Sequence, residues 1–158
     1  MNGESLLVEV IGIDPGVVHT GVVSLLLDSH NNTLTHESTV VDGLNVDHPV
    51  LKKLAAAPRD TFIFIEGFRV RGAFNTNNEM MEAIGALKKL LPRATVVQNM
   101  GVRKVVPNET LKLLGLYKFD TVTHHQDLRE AARTALHGII KDEKLNSILY
   151  HIMKEKLQ

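Results

Sequence analysis

The chain has 158 residues, 44% of them hydrophobic and 23% charged, which is enough to bury one sizeable core and too little for a multidomain machine. It contains no cysteine, which excludes disulfides, thiol nucleophiles and thiolate metal sites together and leaves the chemistry to oxygen and nitrogen. Net charge is zero, with 18 bases against 18 acids, and by itself neither favours nor excludes a nucleic-acid partner.

In chain order, Leu6 to Ile13 is nearly all apolar and reads as a strand. Asp14-Pro15-Gly16 supplies turn chemistry, proline presetting φ and glycine permitting φ > 0, and a second strand follows from Gly21 to Leu27. His30-Asn31-Asn32 marks another reversal, and Thr33 to Val41 is rich in β-branched residues. These three strands are expected to form an antiparallel meander. The pattern then changes to a short helix around Val50 to Ala57, a strand Thr61 to Ile65, a helix from about Asn77 to Leu91 and a strand Ala94 to Gln98. Strand, helix, strand implies parallel pairing. Thr123 and Gln126 form a capping-box pattern ahead of a helix running to about Ile140, with Leu128, Ala131, Ala132, Ala135, Leu136 and Ile139 on one apolar face. A last amphipathic helix carries Leu145, Ile148, Leu149, Ile152 and Met153. Gly67 to Thr76 and Asn99 to Pro107 read as loops. The expected architecture is α/β, one domain with a mixed sheet of three antiparallel strands continued by two parallel ones. With no apolar run near the roughly 20 residues that cross a bilayer, and no signal-peptide pattern at the start, a soluble cytoplasmic protein is expected.

Three acids stand at the edges of apolar elements: Asp14 ends the first strand, Glu66 ends the strand TFIFIEG, and Asp127 opens the apolar-faced helix. His124 precedes Asp127 by three residues and projects from the same side of that helix. Each has an ordinary reading alone: a turn, a solvated strand end, a macrodipole partner. Brought together they repel, and burying them without counter-charge is expensive, which a divalent cation resolves. Oxygen donors with one imidazole suit Mg²⁺ or Mn²⁺, and paired ions are the usual device for phosphodiester cleavage.

The ordered set IGIDPGVVHTG, FIFIEG and HHQDLREAARTAL resembles the RuvC-type Holliday-junction resolvases of the RNase H-like nuclease superfamily, over roughly residues 8 to 140. The family pattern is a first-strand Asp in D-P-G…T-G, a Glu ending the fourth strand, and a helical Asp preceded three positions earlier by Asp or His. Asp14, Glu66, Asp127 and His124 match it in order. The resemblance implies an RNase H-like fold, two Mg²⁺ ions held by these four residues, and a homodimeric crossover junction endodeoxyribonuclease making paired symmetric nicks in four-way DNA junctions. His124 stands where many relatives have an acid, and His125 competes with it as a ligand. Glu130, three residues after Asp127, reads as an exposed helix glutamate or as a group reaching the metals through water.

Charge distribution supplies candidates for a DNA face, with a solvated mixed surface as the alternative. Residues 1 to 60 hold eight acids and three bases, whereas 67 to 118 hold nine bases and three acids. Phe68, Arg69, Arg71 and Phe74 follow Glu66 closely and combine cations with rings suited to stacking an unpaired base, although either Phe reads equally well as core. By the resemblance, Phe68 is the counterpart of the family's junction-disturbing aromatic, and Arg103, Lys104, Lys112 and Lys118 form a second DNA-contacting region. Met80, Met81, Ile84, Leu87 and Leu91 make a broad apolar face, explained partly by core packing, to which the resemblance adds a dimer contact. Three competing functions remain: an RNase H-like nuclease for other branched DNA or RNA-DNA hybrids, an actin/Hsp70-type nucleotide-binding module, and a catalytically silent DNA-binding relative. The second needs two related lobes, and 158 residues without a repeat provide one; the intact set of acids opposes the third.

Overall fold

The structure is a computed structural model describing residues 6–67 and 78–158. Its element order is β1 (Leu7–Asp14), β2 (His19–Asp28), β3 (Thr33–Asp42), α1 (Pro49–Ala55), β4 (Phe62–Gly67), α2 (Asn78–Leu90), β5 (Thr95–Gln98), α3 (Val102–Val105), α4 (Asn108–Leu113), α5 (His125–Lys141) and α6 (Glu143–Lys156). The five strands form one sheet in the order β3-β2-β1-β4-β5. β1–β2 and β2–β3 are antiparallel, β1–β4 and β4–β5 parallel, as the sequence pattern predicts. No helix among the described residues is long and apolar enough to cross a membrane.

Side chains alternate across a strand, so β1 divides its apolar residues between two layers. Val8 and Val10 pack with Leu25, Leu27 and Phe64 under α5 and α6, whereas Ile11 and Ile13 pack with Val22, Ile65, Leu51 of α1 and Leu87 of α2. The same parity puts Asp14, in step with Val10 and Gly12, on the α5 side of the sheet. Glu66, in step with Phe64, faces that side too. Ile13 and Ile65 are partners in the parallel register, and the two acids come one residue later on adjacent strands.

Two glycines set how closely α5 lies on this face. A side-chain carbon on Gly12 would collide with the Ala131 carbonyl and the Ala135 methyl, and one on Gly21 would sit 2.6 Å from the Asp127 carbonyl oxygen. Gly21 is the register partner of Asp14, so this contact holds the first turn of α5 over the end of β1. The alanine-rich face of α5 permits the approach, with Ala131, Ala132 and Ala135 fully buried.

Two local expectations change. Thr123 does not cap α5: the cap position is His124, whose backbone is left-handed (φ 66°, ψ 22°) and whose side chain makes no cap hydrogen bond. Gln126 Nε2 instead donates to Glu130 Oε1 at 3.0 Å, so the capping box is replaced by an i, i+4 pair. The 99–107 segment contains α3, a single turn anchored by buried Val102 and entered through Gly101 at φ 73°. One turn leaves too little hydrophobic period to be seen in sequence. The 67–76 loop expectation falls outside the described residues beyond Gly67.

Candidate active site

At the ends of β1 and β4, a cleft of about 520 Å³ is lined by Asp14, Glu66, Asn99, Gly101, Val102, Arg103, Lys104 and Glu130. Glu66 is only 6% exposed. Its Oε1 accepts from Asn99 Nδ2 at 3.3 Å, while its buried Oε2 has no hydrogen-bond partner among the described residues. Burial raises the Asp14 carboxyl well above the ordinary carboxylate range, and the hydrogen bond to Glu66 and the charges of Glu66, Asp127 and Glu130 raise it further. Glu66 is also raised, mainly by burial; hydrogen bonds from Asp14 and Asn99 oppose the shift. Like charges on neighbouring strand ends, partly withdrawn from water, favour the protonated form of both carboxyls.

Glu130 belongs to this cleft and not to the exposed helix surface, its side chain being 13% exposed. Its Oε1 meets Arg103 Nη2 at 3.2 Å, and its Oε2 lies 3.5 Å from Nε of Arg133. Arg133, 2% exposed, is fixed by donating to the Val106 carbonyl and, at 2.8 Å, to Asn108 Oδ1. It thus ties α5 to the α3–α4 segment behind the cleft.

His124 and Asp127 stand beside the cleft and not in its lining. His124 Nδ1 is 3.3 Å from Asp127 Oδ2, and its ring lies 4.1 Å from that of His19 between centroids. Asp127 acts on Asp14 through its charge. His125 faces elsewhere: its Nδ1 accepts from the Phe119 backbone N–H at 3.2 Å, so it holds the chain entering α5. Among the described residues no three His, Asp or Glu side chains are drawn together tightly enough to surround an ion.

The basic candidates divide in the same way. Arg103 and Lys104 line the cleft mouth. Lys112 stands 4.7 Å over the Tyr117 ring, which also carries the Arg129 guanidinium at 4.0 Å, and Lys118 is exposed. Phe68, Arg69, Arg71 and Phe74 lie outside the described residues. On α2, Ile84 and Leu87 are buried, as is Leu91 just beyond its end, while Met81 is 47% exposed.

Sequence reasoning undervalued Glu130 and missed Asn99 and Arg133. The i, i+3 spacing from Asp127 was the available signal for Glu130, but nothing local marks Asn99 or Arg133. The donor set fits a hard divalent cation: three carboxylates line the cleft, one Glu66 oxygen is buried without a partner among the described residues, and Asp14 and Glu66 are both shifted toward the protonated form, which positive charge would relieve.

The chain is similar to RuvC of Thermus thermophilus in complex with a Holliday junction substrate, with a TM-score of 0.55 and 16% identity over 82% of this chain and 90% of that one. The fold is that of RuvC. A second Thermus thermophilus RuvC structure matches with a TM-score of 0.50 and 18% identity, over 83% of this chain and 92% of that one. Fowlpox virus resolvase in complex with its substrate Holliday junction DNA matches with a TM-score of 0.43 and 12% identity, over 91% of this chain and 99% of that one. No protein-family model and no curated protein matches the chain. On the RuvC fold found here, the cleft opens at the ends of parallel strands, where α/β sheets build their sites.

Proposed function

We propose that the chain is a single RuvC-like nuclease domain that resolves four-way DNA junctions by paired symmetric nicks, in recombination or in the processing of replication intermediates. The observation that carries this reading is the crowding of half-buried Asp14 and buried Glu66 beside Glu130, in a cleft whose mouth bears Arg103 and Lys104. The RuvC fold, shared with a RuvC solved in complex with a Holliday junction substrate, supports it.

Asp14, Glu66 and Glu130 would hold Mg²⁺, or Mn²⁺ in its place, as two ions, with Asp127 and its partner His124 on the α5 flank. What the ions supply when bound is Lewis acidity, activating the attacking water and stabilising the departing 3′-oxygen. The chain's own residues prepare the place. The apolar ends of β1 and β4 exclude water, Asn99 orients Glu66, Arg133 orients Glu130, and His124 restrains Asp127. Arg103 and Lys104 take backbone phosphates, and their contacts make binding salt-dependent. Arg69 and Arg71 extend this surface by the sequence reading, with Phe68 and Phe74 meeting unpaired bases, and Lys112 and Lys118 contribute more distant positive charge. One cleft per chain cuts one strand, so symmetric paired nicks need two copies; we assign the chain a homodimer, with the α2 face around Met81 as its contact.

The test is cleavage of matched synthetic four-way junction, fork, duplex and RNA-DNA hybrid substrates, with Mg²⁺ and with EDTA, mapping every nick. Paired nicks at symmetric positions on the junction, lost in EDTA, are expected. Preferential cutting of the hybrid, or equal cutting of plain duplex, would overturn the junction reading.

A further inference from the structure

Glu130 is held by two arginines in unlike settings. Arg133 is buried, pinned by Val106 and Asn108, and meets Oε2. Arg103 is 70% exposed on its side chain, stands at the cleft mouth, and covers Oε1. The first contact is built into the core between α5 and the α3–α4 segment; the second is a surface ion pair, the kind that exchanges its partner readily. An exposed arginine fork also matches a phosphate as well as it matches a carboxylate.

Resting on the nuclease reading above, we infer that Arg103 is a latch: in the free chain its positive charge sits on Glu130 Oε1, which also accepts from the neutral Gln126 amide, and a DNA backbone phosphate draws the guanidinium away. Release leaves Glu130 Oε1 with the neutral Gln126 amide alone, in the cleft that Asp14 and Glu66 also line, while Arg133 stays beside Oε2. Phosphate entry therefore completes the carboxylate set, and cation binding and DNA binding strengthen each other, by equal factors in the two directions. This accounts for a free chain in which Glu130 lines the cleft with Asp14 and Glu66 but is turned to guanidinium groups. It also separates Arg103 from Lys104, which lines the same mouth and pairs with no carboxylate among the described residues.

The test uses the full chain and Ca²⁺ as the probe, a hard cation whose binding is read by calorimetry without relying on cleavage. Arg103→Gln is expected to bind Ca²⁺ about three- to tenfold more tightly than the parent in the absence of DNA, because the competitor for Glu130 and its positive charge are both removed. Four-way junction DNA, followed by fluorescence anisotropy, is expected to bind the parent more tightly with Ca²⁺ than without, and Arg103→Gln more weakly with that enhancement lost. Unchanged or weaker Ca²⁺ binding by Arg103→Gln, while Glu66→Gln and Glu130→Gln both impair it, would overturn the latch and leave the cation site standing. Ca²⁺ binding indifferent to Glu66→Gln and Glu130→Gln would overturn the cation site itself, and the latch with it.

Discussion

Two cavities of nearly equal volume, about 560 Å³ and about 520 Å³, lie against the same sheet and could hardly differ more in chemistry. The larger sits between the sheet and α1, floored by Leu7, Ile11, Val22 and Leu26, and its acids Glu9, Glu37 and Asp60 stand exposed to water. The smaller buries Glu66 against Asp14 and surrounds the pair with Asn99, Glu130 and two cationic side chains. Volume does not distinguish them. What does is carboxylates desolvated beside one another, a cost a fold retains where something must bind.

The comparison is sharpest in activity. Asp14→Asn or Glu66→Gln is expected to lower Mg²⁺-dependent junction cleavage by about a thousandfold or more while junction affinity measured without divalent cation changes little, since the acids serve the chemistry and the basic residues the affinity. Glu37→Gln in the other cavity should leave cleavage within about twofold of the parent. Single-turnover cleavage and gel-shift titrations read both quantities; comparable losses from Glu37→Gln and Glu66→Gln would erase the distinction between the cavities.

A smaller effect concerns the cleft mouth. Arg103→Ala is expected to weaken junction binding and to reduce the slope of log affinity against log salt by about one unit. A slope equal to the parent's would remove Arg103 from the DNA face.

The smallest effect is on stability. The folded chain keeps the Asp14 proton far above pH 3.8, where an ordinary aspartate loses it, so the folded state binds more protons than the unfolded one and stability falls as pH rises through that window. Asp14→Asn removes this dependence. Without divalent cations the variant should melt higher than the parent at pH 7, by about 2–4 °C for each kcal/mol recovered, and the difference should vanish as pH falls toward 3.8. Parallel melting curves against pH for the two proteins would show that Asp14 is not strained.

Much of the fold was legible because its signals are long. Ten-residue strands with β-branched content, a D-P-G turn and the apolar face of α5 each repeat their period several times, and the sheet order follows from them. The site was legible as far as strand parity reaches: Asp14 and Glu66 terminate adjacent parallel strands. It stopped being legible at α5, where His124, Asp127 and Glu130 form one row at i, i+3 and i+6, and spacing cannot say which of them face the strand ends. That choice depends on the left-handed backbone of His124, which sets it outside the helix proper, and on Arg133, which orients Glu130 from within the core. Both are tertiary features that helical spacing does not carry: Arg133 is fixed by the Val106 carbonyl and Asn108, residues far from it in sequence.

Anomalous scattering from crystals of the full chain grown with Mn²⁺, recorded at the manganese edge, locates the ion relative to these side chains directly. The expected map has a strong peak between the carboxylates of Asp14 and Glu66, at roughly 2.0–2.3 Å from their oxygens, with Glu130 or Asp127 turned toward it. A cleft without a peak at saturating Mn²⁺, or peaks confined to the exposed acids of the α1 cavity, would contradict the assignment of the cleft as a cation site.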